Sequence, residues 1–146
     1  MHERELKDLI SLGEGQSVEF KRSLSDDFSR EISAFANSLG GKILIGVDDY
    51  GSVVGVEHHN PAKAKIQNSA RSLEPPVRVQ VESVGKVLVV TVPQSEDCPH
   101  ASSGRFYLRE GATCQQMTRK QIQEYFFREG LLLFDTMINP DFKVMR

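Results

Sequence analysis

In one short stretch of this chain, "GEGQSVEFKRS" at residues 13–23, Glu14, Glu19 and Lys21 crowd into eight positions. Residues of these types suit three different tasks. They can hold a metal and cut a phosphodiester, they can grip a nucleic acid, or they can be the wet face of an edge strand.

A second constellation sits in "RFYLR". Arg105, Tyr107 and Arg109 share one strand face by the two-residue period. Cation, aromatic and cation in that order suit a backbone phosphate and a stacked base. On this reading, removing Arg109 weakens binding across sequences and flattens its salt dependence. Arg119 and Lys120 follow at the start of a helical pattern, and Lys63, Lys65 and Arg71 make a weaker cluster.

Other chemistries find less support. Glycines recur at 40, 41, 46, 51 and 55, but "GGKILIG" lacks the P-loop spacing and its Ser or Thr. The double glycine follows a helix, so it presents no helix N-terminus to a phosphate. Cys98, His100, Cys114 and the pair His58-His59 do not stand at a standard zinc spacing. There is no G-x-S-x-G, and neither cysteine has a base beside it in sequence.

The elements that position these groups follow from periodicity. Residues 3–12 read as a helix, with Leu6, Leu9 and Ile10 as its stripe and Gly13 as its stop. "SVEFKRS" alternates, Val18 and Phe20 against Glu19 and Lys21, as a half-buried strand does. A helix over 26–39 carries Phe28, Ile32, Phe35 and Leu39, and Gly40-Gly41 ends it. Asn37 falls opposite Phe35 on that helix and is its one polar candidate for a ligand contact. "KILIGVD" is apolar on both faces and reads as a central strand; "SVVGVE" returns after a "DDYG" turn to make a hairpin. A helix over 61–73 and a hairpin around Gly85 follow, then a turn-rich loop over 93–104. Thr118 and Gln121 have capping-box spacing for a last helix that Gly130 ends. The class is α+β, with a mixed, mostly antiparallel sheet of about six strands and three or four helices.

Composition bounds the rest. The 146 residues fit one domain over 1–130 and a tail, or the start of a following region, over 131–146. The tail opens with "LLLF", four apolar residues in a row that want a partner surface. Lys and Arg number 18 against 20 Asp and Glu, a net charge of −2, so any polyanion must be held by a local patch. No apolar run approaches the ~20 residues that cross a bilayer, and the N-terminus has no signal core, which point to the cytoplasm.

Four motifs in order, "EGQSVEFK" (14–21), "AFANSLGGKILIGVDDYGSVVGV" (34–56), "GRFYLREGAT" (104–113) and "MTRKQI" (117–122), resemble the Schlafen-type AlbA-like domain. That family was also described as a divergent AAA-type ATP-binding domain. The resemblance covers roughly residues 5–130. It implies a mixed α+β fold and nucleic-acid binding, of DNA in the first instance, at the N-terminus of a transcriptional regulator or helicase-related protein. Relatives with two such domains carry a metal-dependent ribonuclease site, and a lone copy can restore that arrangement as a homodimer.

The ribonuclease relatives use two glutamates five apart and an aspartate at the end of the "GVDD" strand. Carried over, these are Glu14, Glu19 and Asp49 (or its neighbour Asp48), with Lys21 on the scissile phosphate. Three such oxygens suit Mg2+ or Mn2+, which polarise a phosphodiester and activate a water. The expected function is therefore DNA or RNA binding through Lys21, Asn37, Arg105, Tyr107, Arg109 and Arg119. Its alternatives are a three-carboxylate nuclease and a nucleotide (ATP)-binding or protein-interaction domain.

Overall fold

Glycine and proline set the boundaries of most elements in the computed structural model, which describes residues 1–128. The chain falls into two units, Met1–Gln116 and a second that begins at Met117. The expected tail and the Gly130 stop lie outside the described residues. Among the described residues, no helix is long and apolar enough to cross a membrane.

Helix α1 (Glu3–Leu12) places Leu6 in the core and ends where the Gly13 N–H donates to the Ile10 carbonyl. Strand β1 (Val18–Lys21) leads to α2 (Phe28–Ala36), whose Phe28, Ile32 and Phe35 are wholly buried. The Gly40 N–H closes that helix onto the Phe35 carbonyl at 2.8 Å. Gly40 has φ +74, and a Cβ there would stand 2.6 Å from the Gln94 nitrogen and 2.7 Å from the Val92 carbonyl oxygen. Only glycine fits so close a turn into the next strand.

Strand β2 (Gly41–Ile45) is central, as its two apolar faces require. Helix α3 (His59–Arg71) carries Pro61 in its first turn, where the missing N–H costs nothing. Strands β3 (Gln80–Val84) and β4 (Val87–Val92) form the hairpin around Gly85. The first sheet runs β1-β2-β4-β3, with β1 parallel to β2 and the other pairs antiparallel. A second, antiparallel sheet joins β5 (Ala101–Ser102), β6 (Arg105–Glu110) and β7 (Thr113–Gln116). In the second unit, α4 (Arg119–Arg128) opens on a realised capping box. The Thr118 N–H donates to the Gln121 side chain at 2.9 Å, and the Gln121 N–H donates to the Thr118 hydroxyl at 3.2 Å.

The α+β class stands, with seven strands in two sheets in place of about six in one. "SVVGVE" is not a strand. It meets "KILIGVD" through an isolated bridge, Val47 to Val53, and the Val54 and Gly55 N–H groups both donate to the Gly46 carbonyl, with Gly46 and Gly55 at positive φ, so no regular ladder forms.

The first sheet is covered on both faces. Ile43, Ile45, Leu88 and Val90 pack with α2 and α3, while Leu44, Val87 and Val89 pack with Val18, Phe20 and Leu6. Register then decides the fate of the charged stretch. Glu19 lies opposite Ile43 and Lys21 opposite Ile45. Paired residues share a sheet face, so Glu19 and Lys21 stand on the face that α2 covers.

Candidate functional site

Glu19 is 7% exposed, not solvated as the strand pattern alone suggests. Its Oε1 accepts from Arg109 Nη1 in a buried ion pair. The Arg109 side chain is completely buried. Its Nη2 also donates to the Gly15 and Val18 carbonyls at 2.9 and 3.1 Å, and its Nε to Gly15 at 3.3 Å. The guanidinium carbon lies 4.7 Å from the centre of the Phe35 ring, a cation–π contact. Arg109 thus ties the turn before β1 to β6 across the Phe35 ring.

Lys21 completes the cluster together with Glu31, a residue of α2 that periodicity did not single out. Lys21 Nζ lies 3.2 Å from Glu31 Oε1 and 3.5 Å from Glu19 Oε2. The signal for Glu31 was its place, three residues after Phe28 and beside Ile32 on the buried stripe. Two carboxylates, one amine and one guanidinium balance in charge, yet Glu19 Oε2 and Glu31 Oε2 each lack a hydrogen-bond partner. Burial, then the Glu19 charge, push the Glu31 carboxyl above its usual range, against the pull of Lys21. Burial alone would lower Lys21, but Glu31 and Glu19 outweigh it and hold the ammonium above its ordinary value. Cys114 on β7 borders the cluster: burial and the Glu31 charge push its thiol up to about 12.

The three carboxylates expected to hold a metal are not gathered. Glu14 is exposed, and its Oε1 accepts the Phe20 N–H at 2.8 Å. Asp49 is exposed in the turn after β2. Its neighbour Asp48 caps that turn, accepting the Tyr50 and Ser52 N–H groups at 2.9 and 2.8 Å. Among the described residues, no three His, Cys, Asp or Glu side chains form a group that could hold a metal ion. Glu19, engaged by Arg109 and Lys21, faces α2. The donor set does not fit Mg2+ or Mn2+.

The β6 platform also differs from expectation. Arg105, Tyr107 and Arg109 do share a face, but only Arg105 is exposed, while Tyr107 and Arg109 are 8% and 3% exposed. That face meets α2, and Arg30 of α2 stands 5.6 Å over the Tyr107 ring. Asn37 is buried as well. Its Nδ2 donates to the His100 and Tyr107 carbonyls at 3.0 and 2.9 Å, and its Oδ1 accepts the His100 N–H at 2.6 Å. It is a brace between α2 and the second sheet. Arg119, in the second unit, is exposed at the start of α4.

One group of cations without an ion pair lies on and beside α3. Its sequence, "HNPAKAKIQNSAR", holds three cations and no carboxylate. Ala62, Ile66 and Ala70 face the core, leaving Lys65 and Arg71 exposed and Lys63 half-buried. Arg22, after β1, and Arg78, before β3, are exposed nearby. Arg22 and Lys65 line one groove, and Arg71 and Arg78 another. Among the described residues, none of these five cations has a carboxylate within ion-pair distance, in contrast to Lys21 and Arg109. Arg22 and Arg78 were not singled out from the sequence, because each is a lone cation beside a strand until the fold sets it by α3.

Among curated proteins, none matches this chain. Several solved structures share its fold, among them the following two. The DIP2311 protein from Corynebacterium diphtheriae is 21% identical with a TM-score of 0.59, over 78% of this chain and 24% of that one. The chain therefore spans about a quarter of that protein's length. The N-terminal domain of a protein from Nitrosomonas europaea named as ATP-dependent DNA helicase RecG-related is 25% identical with a TM-score of 0.51. That match covers 78% of this chain and 87% of the domain. The model of the family described as "Schlafen, AlbA_2" matches residues 14–118, and the chain belongs to that family.

Proposed function

We propose that this domain binds nucleic acid, with DNA as the first candidate, through the acid-free surface of α3 and the flanking Arg22 and Arg78. The observation that carries the reading is the contrast between two sets of cations. Lys21 and Arg109 are neutralised by Glu19 and Glu31, whereas Arg22, Lys63, Lys65, Arg71 and Arg78 face no carboxylate partner. In a chain of net charge −2, such a patch is the local attraction that phosphate binding needs. Family membership and the likeness to the N-terminal domain of a RecG-related protein support DNA as the polymer. A role within a longer regulator or helicase-related protein accords with the small share of the DIP2311 protein that this chain spans.

The reading is of binding without cleavage, since Glu19 serves Arg109. Retention of labelled single- and double-stranded DNA and RNA, measured against salt, tests it. Lys65→Ala and Arg71→Ala should each weaken binding across sequences and lower the salt slope by about one phosphate. Mn2+ and EDTA should give the same retention and intact nucleic acid. Metal-dependent cleavage lost in Glu14→Ala and Asp49→Ala would reinstate the three-carboxylate site.

A further inference from the structure

The groove that Arg22 and Lys65 line has an apolar floor that backbone phosphates alone would not use. Its volume is about 390 Å³, and its lining runs from Arg22, Ser23 and Leu24 after β1, past Val56, to Pro61, Ala62 and Lys65 of α3. That volume falls within the roughly 300–1,000 Å³ of small-ligand sites. Leu24 and Val56 are only partly buried and form the outer edge of the core cluster. They are held in place from behind while one side stays open.

From the geometry we infer that this groove takes one nucleotide of a single strand, with its base against Leu24, Val56 and Pro61 and its phosphate on Arg22 and Lys65. The inference rests on the nucleic-acid reading and adds that the bound form is single-stranded with an unstacked base. Three features support it together. The walls come from two chain segments fixed by the same core, so the groove is preformed and binding need not order it. Neither Arg22 nor Lys65 is in an ion pair among the described residues, so both charges are available to a phosphate. Ser23 adds a hydroxyl that can donate or accept.

Glu57 is the one carboxylate in the lining. It would repel a phosphate but can accept from the exocyclic amino group of a base.

Uniform removal of bases from an oligonucleotide leaves its phosphate count unchanged, and so separates this inference from backbone attraction. Fluorescence anisotropy with the full chain would compare a labelled 12-nucleotide DNA strand, its fully abasic counterpart and the duplex. The intact strand should bind about fivefold or more tighter than the other two. Leu24→Ala should reduce intact-strand binding severalfold and leave abasic binding unchanged, while Arg71→Ala should weaken all three. Equal binding of intact and abasic strands, or duplex binding at least as tight as the single strand, overturns the inference and leaves backbone binding in place. No binding to any of the three overturns the nucleic-acid reading together with it.

Discussion

Replacing Arg109 by Met retains an unbranched chain over Phe35 and deletes the guanidinium. In the native fold that group answers the Glu19 carboxylate and the Gly15 and Val18 carbonyls. Removing one member of a buried ion pair leaves an uncompensated charge and costs about 3–5 kcal/mol. Lys21, 3.5 Å from Glu19 Oε2, remains to screen that charge, so the lower end applies, about 3 kcal/mol. Against a total stability of about 5–15 kcal/mol this is a large fraction. At roughly 3 °C per kcal/mol for a chain of this size, the melting temperature should fall by about 10 °C. Urea unfolding followed by circular dichroism measures the loss.

Adding Glu19→Gln should restore about 2 kcal/mol, because the stranded charge is gone. Below the melting transition, the salt slope of nucleic-acid binding should match that of the native protein, since Arg109 is not at the surface. A loss under about 1 kcal/mol, or a double variant whose effects simply add, would refute the argument that Arg109 and Glu19 stabilise one another. A flattened salt slope in the folded variant would return Arg109 to the binding surface.

Three further outcomes follow from the same cluster and its neighbours. The Glu31 carboxyl is raised on folding, so its contribution is complete below the ordinary value of 4.5 and is lost as pH climbs through the raised one. Glu31→Gln should therefore flatten the fall in stability above pH 4.5, and parallel profiles for the two proteins would contradict this. Cys114, with its thiol pushed up to about 12, should resist iodoacetamide at pH 7.5 until urea unfolds the chain; rapid labelling in the native state, mapped by mass spectrometry, would show that burial does not protect it. Asn37→Ala strands the His100 N–H and two carbonyls and should cost about 3 kcal/mol by urea titration. A loss below about 1 kcal/mol would mean water replaces the amide.

Local pattern determined much of this protein. Helical spacing located α1, α2 and α3 to within three residues, the largest error being at the end of α2, where Leu39 lies beyond the helix and exposed. The two apolar faces of residues 42–47 made β2 central, and Thr118 with Gln121 started α4. The alternations in β1 and β6 were also right about which residues share a face. They could not say which face was inside. A period of two assigns charged residues to water by default, and α2 overrides that default. Lying against the face of β1 that holds Glu19 and Lys21, and against the face of β6 that holds Tyr107 and Arg109, it brings Glu19 and Arg109, ninety residues apart in sequence, into one bond. Burial of those charges is favourable only because each meets an opposite one, and such a meeting has no signature within a ten-residue window. The same logic divides the two arginines of β6: Arg109 meets a carboxylate and lies inside, whereas Arg105, with no such partner among the described residues, stays in water.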